Sequence, residues 1–191
     1  MKRRNLIKLG IVAGVAAPVI SACKETKSAR TSSSSPIRPI VISTWKAGIP
    51  ANNDAWTILS NNGYALDAVE KGVMNAEADP ENSSVGYGGL PDRNGDVTLD
   101  ACIMDEQGDC GAVACMKNIK HPIAVARKVM EDTPHVMLVG DGAKAFALSV
   151  GHEEEDLTTE KSRQAYKEWL KTSEYKPIIN IENHDTIGML A

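Results

Sequence analysis

The chain has 191 residues and a mass of 20.5 kDa, the size of one domain. Hydrophobic residues make up 42% of it but aromatic residues only 4%, so any core must be aliphatic. The net charge is −4, and the first 23 residues carry four positive charges (Lys2, Arg3, Arg4, Lys8) and no acid. Setting these aside leaves 17 basic against 25 acidic residues, a net of −8. That balance argues against a nucleic-acid partner, which needs a basic face.

Residues 1–23, "MKRRNLIKLGIVAGVAAPVISAC", have a basic start and an apolar run too short to span a bilayer. They are read as an export signal and set aside from the fold. The ending "ISAC" resembles a bacterial lipobox, which makes Cys23 the lipidated residue. Arg3-Arg4 ahead of "NLIK" loosely resembles a twin-arginine signal. The expectation is an exported protein of the periplasm or cell envelope, with a lipid anchor as its only membrane contact. Residues 24–36, "KETKSARTSSSSP", form a polar Ser/Thr-rich tether that buries too little surface to order itself. The folded domain spans 37–191.

In chain order, "RPIVIST" (38–44) reads as a strand. "ANNDAWTILSNNG" (51–63) reads as a helix capped by Asn52 or Asn53 and stopped by Gly63. "YALDAVEKGVMNAEADP" (64–80) spaces Leu66, Val69, Val73 and Ala76 helically and ends at Pro80. Residues 81–95 are a glycine-containing loop. In 96–118 two strand-like runs flank "DEQG", a hairpin with Gly108 available for positive φ. Residues 121–134 form a helix with Pro122 near its first turn. "HVMLVG" (135–140) reads as a short buried strand, and 141–151 as a helix that Asp141 can cap. "HEEED" (152–156) is a solvated turn. Residues 159–175 form a charged surface helix with Tyr166, Trp169 and Leu170 on one stripe. The closing "IGMLA" reads as the opening of a buried strand with little left to pair with, as in half of a larger fold.

The order strand, helix, helix, hairpin, helix, strand, helix, helix, strand supports a sheet covered by helices, without saying whether one sheet or two are present. No Gly-rich phosphate loop follows the first strand, so nucleotide binding has no basis. Cys102, Cys110 and Cys115 allow one disulfide and a free thiol. Alternatively, Cys102 and Cys115 are small buried side chains on adjacent strands. No C-x-x-C pair occurs, and the histidines at 121, 135, 152 and 184 lack a ligand spacing, so neither a metal nor a cofactor is predicted. Caps, turns and satisfied polar contacts are enough to account for Asp100, Asp105, Asp141 and His135.

The segment "NIENHDTIGMLA" (180–191) carries the chemistry. Thr186 alone is a residue that suits the start of a strand. Its hydroxyl becomes nucleophilic if a cut between Asp185 and Thr186 makes it an N-terminus whose α-amine serves as base. An α-amine with a pKa of about 7.7–8.0 suits that work at neutral pH. Trp45, at the end of the first strand, is either a core aromatic or a pocket wall.

"HDTIGM" (184–189) resembles the processing site of the glycosylasparaginases, which are N-terminal-nucleophile hydrolases. The segments "STW" (43–45), "ALDAVEKGV" (65–73), "SVGYGGLPDRNGDVTLDACIMD" (84–105), "GAVACMKNIKHPIAVARKVMEDTPHVMLVGDGA" (111–143) and "KPIINIENHDTIGM" (176–189) fit the same family in order. The resemblance implies an α+β fold, the four-layer αββα sandwich, present here as its N-terminal half. It implies Thr186 as nucleophile in self-cleavage and in catalysis. Asp185 supplies the scissile carbonyl, His184 lies beside it, and Trp45 forms one wall of the substrate pocket. The implied substrate is glycosylasparagine or a similar small asparagine derivative. The implied partners are a β chain starting at the threonine and a second αβ unit in a dimer.

In this family the β chain carries the arginine and aspartate that hold the substrate and the threonine and glycine of the oxyanion hole. No such segment follows Ala191, so the expectation is a truncated or precursor form, inactive alone. Two other readings stand beside this one. Isoaspartyl peptidases and asparaginases share fold and nucleophile, but usually have Gly where this chain has Asp185. The other is a non-catalytic lipid-anchored protein.

Overall fold

The computed structural model describes residues 39–173 and 186–191. Its elements follow the expected order. They are β1 (Ile42–Ser43), α1 (Gly48–Leu59), α2 (Ala65–Ala78), β2 (Thr98–Met104), β3 (Cys110–Lys117), α3 (Pro122–Asp132), β4 (Met137–Val139), α4 (Gly140–Ser149), α5 (Glu160–Thr172) and β5 (Met189–Leu190). The fold is α+β. Among the described residues there are two sheets: an antiparallel pair β1–β5, and a sheet ordered β2–β3–β4. No helix among them is long and apolar enough to cross a membrane.

The hairpin β2–β3 forms as its turn residues dictate. Asp105 Oδ1 accepts from the backbone N–H groups of Gln107 and Asp109, both at 2.9 Å, and Gly108 takes φ +88°. A register shift between Leu99 and Ala101 marks a bulge in β3, where Ala114 and Cys115 together oppose Asp100, whose Oδ1 accepts from Cys115 N–H at 2.6 Å. β3 then pairs parallel with β4 through α3, so a hairpin and a β-α-β unit share one sheet. α3 starts with Pro122, where a missing N–H costs nothing, and buries Ile123, Val125, Ala126 and Val129. Those residues pack with Ile103, Val113, Met116, Ala143 and Ala147 into the main core, which is aliphatic as the composition requires. Fully burying each larger side chain contributes about 1.5–3 kcal/mol.

Several expectations are corrected. α1 begins at Gly48, not Ala51, because a turn from Trp45 runs straight into it: Gly48 N–H donates to Trp45 O and Ile49 N–H to Lys46 O. Asn52 and Asn53 therefore lie inside the helix and cap nothing. The helix stops at Leu59, and the left-handed residue in the reversal is Asn62 (φ +57°), ahead of Gly63. Asp141 is the second residue of α4, which has no side-chain cap. Of the described residues of the expected strand, 39–44, only Ile42–Ser43 form β1. The short strand β4 is not buried: Met137 and Val139 are 54% and 56% exposed, and only Leu138 between them faces the core. The closing strand does find a partner, β1, but Leu190 is 74% exposed. Cys102 and Cys115 are exposed rather than buried, and all three cysteines among the described residues are free thiols. α5 is the surface helix expected, with a capping box between Thr159 and Ser162.

Candidate active site

Thr186 is the first described residue of the closing segment, and β1 holds that segment in place. Thr44 N–H donates to Gly188 O at 2.9 Å, and Gly188 N–H donates to Thr44 Oγ1 at 2.9 Å. Ser43 and Ile42 then pair with Met189 and Leu190. Met189 and Ile187 pack against the main core. Gly72 of α2 makes that seating possible, since a Cβ there would lie 2.6 Å from Met189 Sδ and 2.8 Å from Ala51 O. A larger residue would push β5 or α1 off α2.

Trp45 follows β1 after Thr44. Its indole Nε1–H donates to the main-chain carbonyl of Thr186 at 3.3 Å, across 141 positions of sequence. Its backbone sits at φ +61°, a left-handed conformation in which a bulky aromatic residue is an outlier. Strain of this kind costs about 1–3 kcal/mol and gathers at functional sites. The structure thus brings together Trp45 and Thr186, both singled out in the sequence. His184, Asp185 and Cys23 lie outside the described residues.

Thr186, Ile187, Gly188 and Met189 border a cleft of about 400 Å³. Its other walls come from α2 (Val73, Glu77), the loop at 84–86, the stretch of β2 opposite the bulge (98–102) and the start of α3 (Pro122, Ile123). Loop 84–86 is held from within, because Asn82 Oδ1 accepts from Ser84 N–H at 3.1 Å and from Ser84 Oγ at 2.8 Å.

Sequence reasoning did not single out Glu77. It lies on the last turn of α2 and is only 2% exposed. Its Oε1 accepts from Ile123 N–H at 3.0 Å, and its Oε2 lies 3.2 Å from His121 Nδ1. Burial pushes its carboxyl above the ordinary value, while hydrogen bonds from His121 and the Ile123 N–H pull the other way. The signal in the sequence was a glutamate four residues on from Val73, on the buried stripe where charge is out of place.

A family model described as asparaginase matches residues 43–189. An N(4)-(Beta-N-acetylglucosaminyl)-L-asparaginase from Elizabethkingia miricola is 67% identical over 154 residues, covering 81% of this chain and 45% of the relative. Proteins of the same name from Rattus norvegicus and Mus musculus are each 40% identical, covering 80% and 82% of this chain and 53% and 54% of their own lengths. The chain spans about half the length of these curated relatives.

Proposed function

We propose, since this chain belongs to the asparaginase family, that it is the nucleophile-bearing part of an N4-(β-N-acetylglucosaminyl)-L-asparaginase. The observation that carries the reading is the indole of Trp45 held against the carbonyl of Thr186, at the edge of a cleft large enough for a small asparagine derivative. Thr186 is the nucleophile. In the precursor its Oγ attacks the carbonyl carbon of Asp185, the peptide C–N bond breaks, and an ester forms with release of the Thr186 amine. Water hydrolyses that ester and leaves Thr186 as an N-terminus, with Asp185 as the new C-terminus and His184 beside it in the processing segment.

In turnover the free α-amine takes the proton from Thr186 Oγ as it attacks the side-chain amide carbon of the substrate. The C–N bond to the sugar-bearing nitrogen breaks and the nitrogen leaves with a proton. Water then resolves the β-aspartyl ester, giving aspartate and the glycosylamine. Trp45, which holds the Thr186 carbonyl but does not border the cleft itself, forms a wall of the pocket once the counterpart is in place. Donors for the oxyanion and the clamp for the substrate's α-groups come from a C-terminal counterpart, the β chain.

That counterpart also completes the four-layer sandwich. The outward face of β2–β3–β4 presents Met104, Met137 and Val139 to solvent, and this face suits a second sheet about 10 Å away. Two such αβ units pair as a dimer. Residues 1–23 export the protein to the periplasm or cell envelope, Cys23 carries the lipid, residues 24–36 are the tether and 37–191 the hydrolase part.

The test is product release from glycosylasparagine beside release from β-aspartyl dipeptides, using one preparation of this chain joined to its C-terminal counterpart. Glycosylasparagine is the expected preference. A preference for the dipeptides moves the assignment to isoaspartyl peptidase, and inactivity on both despite cleavage at Thr186 contradicts the enzyme reading.

A further inference from the structure

We infer that Glu77 is a positioning residue for the Thr186 cleft, acting through the reach of its buried side chain rather than through its charge. The inference rests on the function proposed above and names a residue which that reading does not use. Three walls of the cleft meet at Glu77. Its side chain receives the Ile123 N–H, the first backbone donor of α3, which its own helix leaves without a partner and which no local side chain caps. Its backbone carbonyl accepts from Tyr87 N–H at 2.7 Å, which ties down the loop at 84–86. Gly86 lies so close that a Cβ there would come within 2.1 Å of Glu77 O, at a φ of +65°. One residue therefore fixes the end of α2, the loop and the start of α3, all of which line the same cleft as Thr186.

Stability alone is a poor account of a carboxyl in this place. Burying it is costly, and well-packed apolar replacements for buried charged groups are often neutral or stabilising. The contact with His121 works in either protonation state. An ionised Glu77 accepts from Nδ1–H, and a protonated Glu77 donates its O–H to Nδ1, so one proton serves the pair. Glu70, two turns earlier on the same face of α2, also bears on Glu77. What the geometry requires is an acceptor at Ile123 and a partner at His121, at the length of a glutamate side chain. A glutamine supplies both, with its carbonyl toward Ile123 and its amide N–H toward Nδ1. An aspartate keeps the charge but is one methylene short.

The experiment uses the protein joined to its C-terminal counterpart, with kcat and KM for glycosylasparagine expressed per mole of chain that begins at Thr186. Glu77→Gln should keep kcat within about threefold of wild type. Glu77→Asp should lower kcat on the order of tenfold, since small misplacements of reacting groups carry penalties of that size or more. It should also slow self-cleavage of the precursor. A purely structural role would lower the amount of folded chain in both variants and leave kcat per cleaved chain unchanged, and that result overturns the inference. So does the reverse ranking, with Asp active and Gln impaired, which would make the charge the essential property. A wild type that cleaves but hydrolyses neither substrate overturns the function reading, and this inference with it.

Discussion

Ile103 and Met104 are neighbours on β2 and lie on opposite faces of one sheet. Ile103 is 4% exposed, packed against α3 and the main core, whereas Met104 is 66% exposed. The division continues across the sheet: Val113 and Leu138 join Ile103 on the covered side, and Met137 and Val139 lie in solvent on the other. Strands with one polar face normally alternate apolar and polar residues. Here both faces are apolar, and that is the pattern of a sheet built to be covered twice. The helices supply one cover, and the proposed C-terminal counterpart supplies the other. Thr186 and its cleft border the covered side through β5 and α2, so the proposed nucleophile is anchored by the layer that this chain builds for itself.

The largest expected effect comes from charging the open face. Met104→Lys should weaken assembly with the C-terminal counterpart by about 3–5 kcal/mol, the scale of an unpaired buried charge, and should suppress self-cleavage with it. In this chain alone the same change should cost about 1 kcal/mol or less, within the range of strand propensities. Copurification and denaturant unfolding measure the two halves of that contrast. Equal effects in both would dissolve the distinction between the faces.

Removing bulk sharpens it. Ile103→Ala should destabilise the chain by about 2–5 kcal/mol, and Met104→Ala by about 0.5 kcal/mol or less. Urea midpoints of the two variants, read at constant slope, provide the check.

Trp45→Ala should lower kcat/KM about tenfold, about 1.4 kcal/mol, by removing the proposed pocket wall beside Thr186. Glycosylasparagine kinetics per cleaved chain would show it. Self-cleavage should change less, because β1 and β5 still hold the segment through Thr44 and Gly188.

The smallest effect is a pH dependence. The carboxyl of Glu77 has a folded value raised above 4.5 by burial, so the folded state holds its proton more tightly than the unfolded state. Its contribution to stability therefore declines as pH rises from about 4.5 through the raised value. Burial lowers the folded value of His152 below 6.5, so its contribution is lost as pH falls below about 6.5. The two run in opposite directions with pH. The difference in melting temperature between wild type and Glu77→Gln isolates the first: the variant should gain relative to wild type as pH rises from 4.5. A difference that does not change with pH contradicts the assignment.

Much of this was legible in the sequence, for identifiable reasons. The "DEQG" turn contains its own instructions in Asp105 and Gly108, so the hairpin could be read directly. The element order followed from periodicity and proline placement. The start of α1 was not legible, because it is set by a turn from Trp45 whose strained φ no local pattern announces. The exposure of β4 was missed because an apolar strand looks the same whether its second face is covered or bare. Thr186 and Trp45 were found through chemistry and resemblance, and the hydrogen bond between them spans too much sequence to be read from either alone. Glu77 was passed over because a glutamate on a helix is usually solvated, although its spacing from Val73 put it on the buried stripe, and the packing of α3 covers it.

The central claim is that Thr186 becomes an N-terminus by its own attack on the preceding carbonyl. Mass spectrometry of this chain joined to its C-terminal counterpart, purified without added protease, tests that most directly. The account predicts two pieces, one ending at Asp185 and one beginning at Thr186, and a single intact chain for Thr186→Ala. A wild type that stays whole, or a Thr186→Ala variant cut at the same bond, would contradict it.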